Sequence, residues 1–95
     1  MAVRRFVRIP SSTLYRDLAG EAVLLQIDTG EYFGLDEVGN RIWQLIVEVG
    51  DLDGVRERMI AEYDVDANEL SADLDRLLAD MVERKLVEVE ERSSS

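Results

Sequence analysis

The 95-residue chain has no cysteine and no histidine. Without cysteine there is no disulfide, no thiolate nucleophile and no cysteine-ligated zinc or iron-sulfur site. Without histidine the commonest general base and the commonest transition-metal ligand are missing, so any chemistry would fall to carboxylates, Lys85, arginines and hydroxyls. Proline occurs once, and the six aromatic residues are too few for the stacking platform of a single-strand nucleic-acid binder. No apolar run approaches the roughly 20 residues that span a bilayer, and the N-terminus lacks the apolar core of a signal peptide. The expectation is a cytoplasmic, non-enzymatic domain with no membrane partner, no metal and no cofactor.

Hydrophobic residues make up 46% of the sequence, enough for one core in a chain too short for two. Formal net charge is -10, and it is unevenly spread: four of the eleven basic residues but one of the twenty-one acidic ones lie among the first twenty positions. An acidic body repels phosphates, which argues against DNA or RNA. It suits a basic peptide or protein patch, mainly through faster encounter, and it also keeps a small protein soluble.

Residues 1–12 mix Arg4, Arg5 and Arg8 with Val3, Phe6, Val7 and Ile9 before Pro10, and read as an extended basic arm or an edge strand. A strand over Thr13–Leu18, a turn at Ala19-Gly20, a clearer strand over Ala22–Asp28, and a tight Asp28-Thr29-Gly30-Glu31 connection to a strand over Tyr32–Leu35 give three strands in meander order. Asp36 is then a good N-cap, able to accept from the amide of Val38 or Gly39. Val38, Ile42, Leu45, Ile46 and Val49 recur at helical spacing up to Gly50, which predicts a helix over 37–49. Asp51 or Asp53 caps a second helix, with Val55, Met59 and Tyr63 on one face. Asp66 and Glu69 are spaced as a capping box before a third helix, whose apolar stripe is Leu70, Leu74, Leu77, Leu78, Met81 and Val82. Leu86–Val89 continues as a short strand or ordered tail, and residues 90–95 read as a flexible tail.

Several constellations resolve into ordinary structure. Asp64, Asp66 and Asn68 alternate as in a calcium loop, but the glycine expected next is Glu69 and a helix starts there. Gly30, Gly34 and Gly39 lack the order of a phosphate-binding loop, and Ser11, Ser12 and Thr13 lack an activating base. Trp43, one position off the main stripe of its helix, reads as core or rim packing. Tyr32 and Phe33, adjacent in a strand, point to opposite faces, one to the helices and the other to solvent or a partner. Asp73, Arg76, Asp80 and Arg84 recur at three or four residues beside the third stripe, as an exposed charge ladder or as the wall of a groove.

The order of strands, the Thr-Gly turn, the segment Tyr-Phe-Gly-Leu-Asp-Glu-Val-Gly-Asn-Arg-Ile-Trp-Gln-Leu-Ile from Tyr32 to Ile46, the Tyr63-Asp-Val-Asp66 stretch and the leucine-striped helix ending in Val-Glu-Arg-Lys-Leu-Val resemble the PqqD family. The resemblance runs from about Thr13 to Val89. It implies an α+β, winged helix-turn-helix-like fold, a three-stranded antiparallel sheet followed by three helices, with no catalysis of its own. Proteins of this kind, including leader-binding proteins of lasso-peptide clusters, hold the leader of a precursor peptide as an added strand and present it to a modifying enzyme or leader peptidase. Carried onto this sequence, the docking edge is Glu31, Tyr32, Phe33, Gly34 and Leu35, and the groove wall comes from Leu70, Asp73, Leu74, Arg76, Leu77 and Asp80. A free edge strand reaches the same place on physical grounds, since an added peptide satisfies its unpaired amides and carbonyls. The competing readings are a winged-helix transcription regulator and a small structural subunit whose edge pairs with an enzyme or with a second copy in a homodimer.

Overall fold

In the computed structural model, which describes residues 3–93, five strands and three helices follow one another as β1 (Val3–Arg8), β2 (Thr13–Leu18), β3 (Glu21–Gln26), β4 (Glu31–Leu35), α1 (Glu37–Val49), α2 (Leu52–Glu62), α3 (Ala67–Glu83) and β5 (Glu88–Ser93). Strands β2, β3 and β4 form the expected antiparallel meander, and β1 pairs with β5 in a second, two-stranded sheet. The expected α+β architecture of three strands followed by three helices is therefore present, with the small sheet added to it.

The two hairpins close differently. Between β2 and β3 the two central residues, Ala19 and Gly20, both have positive φ, the two-residue turn whose twist matches paired strands, and Asp17 accepts from the Gly20 amide. Between β3 and β4 the sequence suggests a strand running to Asp28, but β3 stops at Gln26. The Gly30 amide donates to the Gln26 carbonyl at 2.8 Å, so residues 27–30 close a loop that leaves Gln26 paired with Glu31. Gly30, at φ 77°, supplies the left-handed residue this closure needs.

All three helix starts lie at the expected caps. The Asp36 carboxylate accepts from the Gly39 amide, Asp51 from the Asp53 amide, and Asp66 from both Asn68 and Glu69, which is the structural use of the calcium-like spacing. Replacing Asp66 by alanine should cost about 1 kcal/mol, the usual value of an N-cap, read as a lower midpoint in urea unfolding with an unchanged slope. The end of α3 is less predictable from sequence. Lys85 takes φ 61°, its amide donates to the Val82 carbonyl, and the Leu86 amide reaches back to Met81, a Schellman closure built without glycine. A non-glycine residue there costs about 1–2 kcal/mol, while glycine loses about 0.5–1 kcal/mol more chain entropy on folding. Lys85→Gly should thus stabilise by about 0.5–1 kcal/mol, measurable as a rise in Tm.

The core lies between the inner face of the sheet and the helices. Ala22 and Leu24 of β3, Leu35 of β4, Ile42, Trp43, Leu45 and Ile46 of α1, Val55 and Met59 of α2, and Leu70, Leu74, Leu78 and Met81 of α3 are all buried, joined by Leu86 and Val87. Trp43 belongs to this core, its ring stacked on Tyr15 at 6.1 Å between centroids and 10° between planes. Two buried polar side chains are fully engaged. Asn40 accepts from the Tyr15 hydroxyl and donates to the Gly20 carbonyl, and Gln26 donates to the Lys85 carbonyl while accepting from the Asp28 amide. Asn40 ties α1 to the first hairpin; Gln26 ties β3 to the end of α3.

The basic arm is not loose. Arg4 pairs with Asp51, Arg5 with Asp75 and Arg8 with Glu88, while Arg92 of β5 covers the Phe6 ring. The arginines of β1 are matched by the chain's own acidic body, and the backbone holds too, since the Val7 amide donates to Gly50. Of the residues read as an arm and a tail, 3–8 and 90–93 thus lie in the paired strands β1 and β5; Met1, Ala2, Ser94 and Ser95 lie outside the described residues.

Candidate functional site

In the three-stranded sheet β3 is central, so β4 presents its second edge away from the sheet. Alternation divides its side chains. Glu31, Phe33 and Leu35 face the helices, because Leu35 and Phe33 pair with the buried Ala22 and Leu24, whereas Tyr32 and Gly34 face outward opposite Leu25 and Val23.

Beside this edge a groove of about 520 Å³ runs between the end of β4, the start of α1 and one side of α3. Gly34 and Leu35 form the strand side, Asp36, Val38, Gly39 and Ile42 the floor, and Asp73, Arg76, Leu77 and Asp80 the helical wall. Helical spacing accounts for the wall: residues 73, 76, 77 and 80 are three or four apart and share one face. Gly39 keeps the floor low, since a Cβ there would come within 3.3 Å of both Asp36 and Leu35. Three carboxylates stand against one guanidinium in the groove, and that guanidinium, Arg76, pairs with Asp73 at 3.4 Å. An apolar channel through Leu35, Ile42 and Leu77 with an acidic rim favours an extended chain that has apolar anchors and basic neighbours.

Six of the eleven residues expected at the site are brought together here: Gly34, Leu35, Asp73, Arg76, Leu77 and Asp80. Leu70 and Leu74 are buried in the core beneath, because the stripe they share with Leu78 faces the sheet and α2. Glu31 lies at the far end of the strand, held by Arg84 at 3.4 Å, and the Arg84 guanidinium also covers the Phe33 ring at 5.3 Å. Arg84 thus leaves the expected ladder with Asp80 and crosses to β4. Tyr32, 71% exposed, is on the outer face with Leu14, Arg16, Leu18, Val23 and Leu25, where the three strands leave an open apolar surface.

Asp36, Val38, Gly39 and Ile42 were not anticipated as lining residues. Val38 carries the signal: it belongs to the apolar stripe of α1 by spacing yet is 44% exposed, because the first turn of the helix projects past the core into the groove.

Elsewhere on α1, Arg41 grips Glu62 of α2 through two bonds of 2.7 Å. The hydrogen bonds from Arg41 hold the Glu62 carboxyl below its ordinary pKa. A depressed carboxyl contributes stability that is present above the ordinary glutamate value and lost as pH falls through the lower folded one. The Glu62 side-chain carboxyl resonance should therefore titrate below the ordinary range, and return to it in Arg41→Gln.

The chain belongs to the PqqD family: the model of the family described as coenzyme PQQ synthesis protein D matches residues 21–87, from β3 to the end of the core. A solved structure entitled TbiB1 in complex with the TbiA(beta) leader peptide superposes with a TM-score of 0.80 at 36% identity, covering 85% of this chain and 94% of that one. No curated protein matches this chain.

Proposed function

We propose that the chain is a non-catalytic leader-peptide-binding adaptor in the biosynthesis of a ribosomally made, post-translationally modified peptide, acting in the cytoplasm. The observation that carries the reading is the open groove beside the free edge of β4. An extended leader adds to β4 through main-chain hydrogen bonds, and alternate side chains enter the groove against Leu77 and Ile42. Family membership and the likeness to TbiB1, solved with a leader peptide, support it.

Such a protein raises the local concentration of the precursor at an enzyme and does not lower a chemical barrier. The partner is a modifying enzyme or leader peptidase of the same pathway. The exposed apolar outer face around Leu14, Leu18 and Tyr32 offers it a surface that the leader does not cover.

The test is a fluorescence titration with two labelled peptides, the TbiA(beta) leader and the leader of any short precursor encoded beside this chain's gene. Saturable binding by either supports the reading, and N-methylation of alternate backbone amides of that leader should abolish it. Failure of both peptides to bind would overturn it.

A further inference from the structure

Resting on the leader-binding reading, we infer that β2, the far edge of the same sheet, is a second strand-docking site, used by the enzyme that acts on the held peptide. The segment it takes is extended and carries a carboxylate between two apolar residues. The hydrogen-bond phase of the first hairpin shows which backbone groups are free there. The Ile27 amide donates to the Ser12 carbonyl, one step beyond the Thr13–Gln26 pair, so Leu14, Arg16 and Leu18 direct their backbone groups at β3. Tyr15 and Asp17 direct theirs away from the sheet, and among the described residues no other backbone group bonds to them.

Open edges are usually blunted, and β2 is not. It holds no proline or lysine, and its six pairs with β3 run without a bulge. The second edge of β5, by contrast, is charged at Glu88, Glu90, Glu91 and Arg92. Exposed apolar side chains flank β2: Leu14 and Leu18 stand on the outer face, around a cleft of about 600 Å³ that Val23 and Leu25 extend.

Charge decides the occupant. Among the described residues eight of the eleven basic side chains pair with a carboxylate, and Arg16, in the middle of that cleft, does not. Glu21, on the same face, stands opposite Leu18 and leaves Arg16 unpaired. A second copy cannot supply the missing acid. Arg16 and Asp17 are adjacent and face opposite sides, so when two β2 strands pair antiparallel, with their outer faces together, Asp17 never stands opposite Arg16. Setting Leu14 against Leu18 of the other copy would bring Arg16 against Arg16, and two bodies of charge -10 repel as well. A foreign strand has no such conflict. Running antiparallel, it places apolar residues opposite Leu18 and Leu14, an aspartate or glutamate opposite Arg16 and a basic residue opposite Asp17. The acid it needs is what the leader groove, with its acidic rim, disfavours, so the two edges select different chains.

The experiment titrates the isotopically labelled full chain with two synthetic peptides, acetyl-Thr-Val-Lys-Glu-Thr-Val-Thr-amide and the same peptide with Lys in place of Glu, with and without whichever leader binds. The first should shift the amide resonances of Tyr15 and Asp17 equally in the presence and absence of leader. The second should bind about fivefold more weakly, against the pull of the acidic body. Arg16→Glu, on an exposed position, should reverse that order and leave leader affinity unchanged. It should also weaken, by a similar factor, binding of the modifying enzyme or leader peptidase encoded beside this chain's gene. No shift at β2 with either peptide, a charge order that survives Arg16→Glu, displacement of the first peptide by leader, or indifference of both enzymes to Arg16→Glu would each overturn the site. If neither leader binds, the leader-binding reading falls, and the β2 edge stands or falls on the two peptides alone.

Discussion

Leu77→Arg should weaken leader binding by about thirty-fold or more, the effect of losing a central anchor worth about 2 kcal/mol. Leu77 is half-buried in the helical wall of the groove, packed against the core from its edge. Arginine removes the apolar contact and brings a positive charge to where the acidic rim favours basic leader residues. The fold should tolerate it, because the new guanidinium lies between Asp73, four residues before, and Asp80, three residues after, and can pair with either. Fluorescence titration reads the affinity and circular dichroism the folding. The comparison is Glu57→Gln, on an exposed position of α2 remote from the groove. Glu62 is a poor control because the bidentate bond from Arg41 gives it a structural role. Equal, weak effects of Leu77→Arg and Glu57→Gln would remove Leu77 from the peptide path.

Trp43→Ala should destabilise the protein by about 3–5 kcal/mol, the range for deleting a buried large aromatic. The indole is 3% exposed, is enclosed by the core of α1 and the sheet, and stacks on Tyr15. A domain of this size loses about 4–8 °C in Tm per kcal/mol, so the midpoint should drop by at least about 12 °C. Thermal melts followed by circular dichroism measure this, since the substitution removes the only tryptophan. Phe at the same position keeps a ring against Tyr15 and should recover much of the loss. A small effect for alanine would mean that the indole is not the keystone between α1 and β2 that its burial implies.

Helix boundaries were legible because each helix begins at an aspartate whose side chain has one good use, to cap. The meander was legible from turn chemistry at Ala19-Gly20 and Thr29-Gly30. What escaped the sequence was set by pairing between distant residues. Nothing local tells that Val3–Arg8 finds Glu88–Ser93, since both are exposed, charged strands whose partners lie some eighty positions away. The site divides in the same way. Periodicity placed Asp73, Arg76, Leu77 and Asp80 on one face of α3, and the resemblance to a peptide-binding family attached that face to a groove. It did not separate Leu77 from Leu70 and Leu74, because all three lie on one broad stripe and only the position of β4 and α1 decides where core ends and groove begins.

The pairing of β1 with β5 puts Val3 opposite Ser93. The two ends of the described chain therefore leave the domain side by side, in a sheet separate from the one that carries the β4 edge. An affinity tag or a fused enzyme joined by a flexible linker to either end starts from nearly the same point in space. Its effective concentration at the bound peptide is then set by linker length and hardly at all by the choice of terminus.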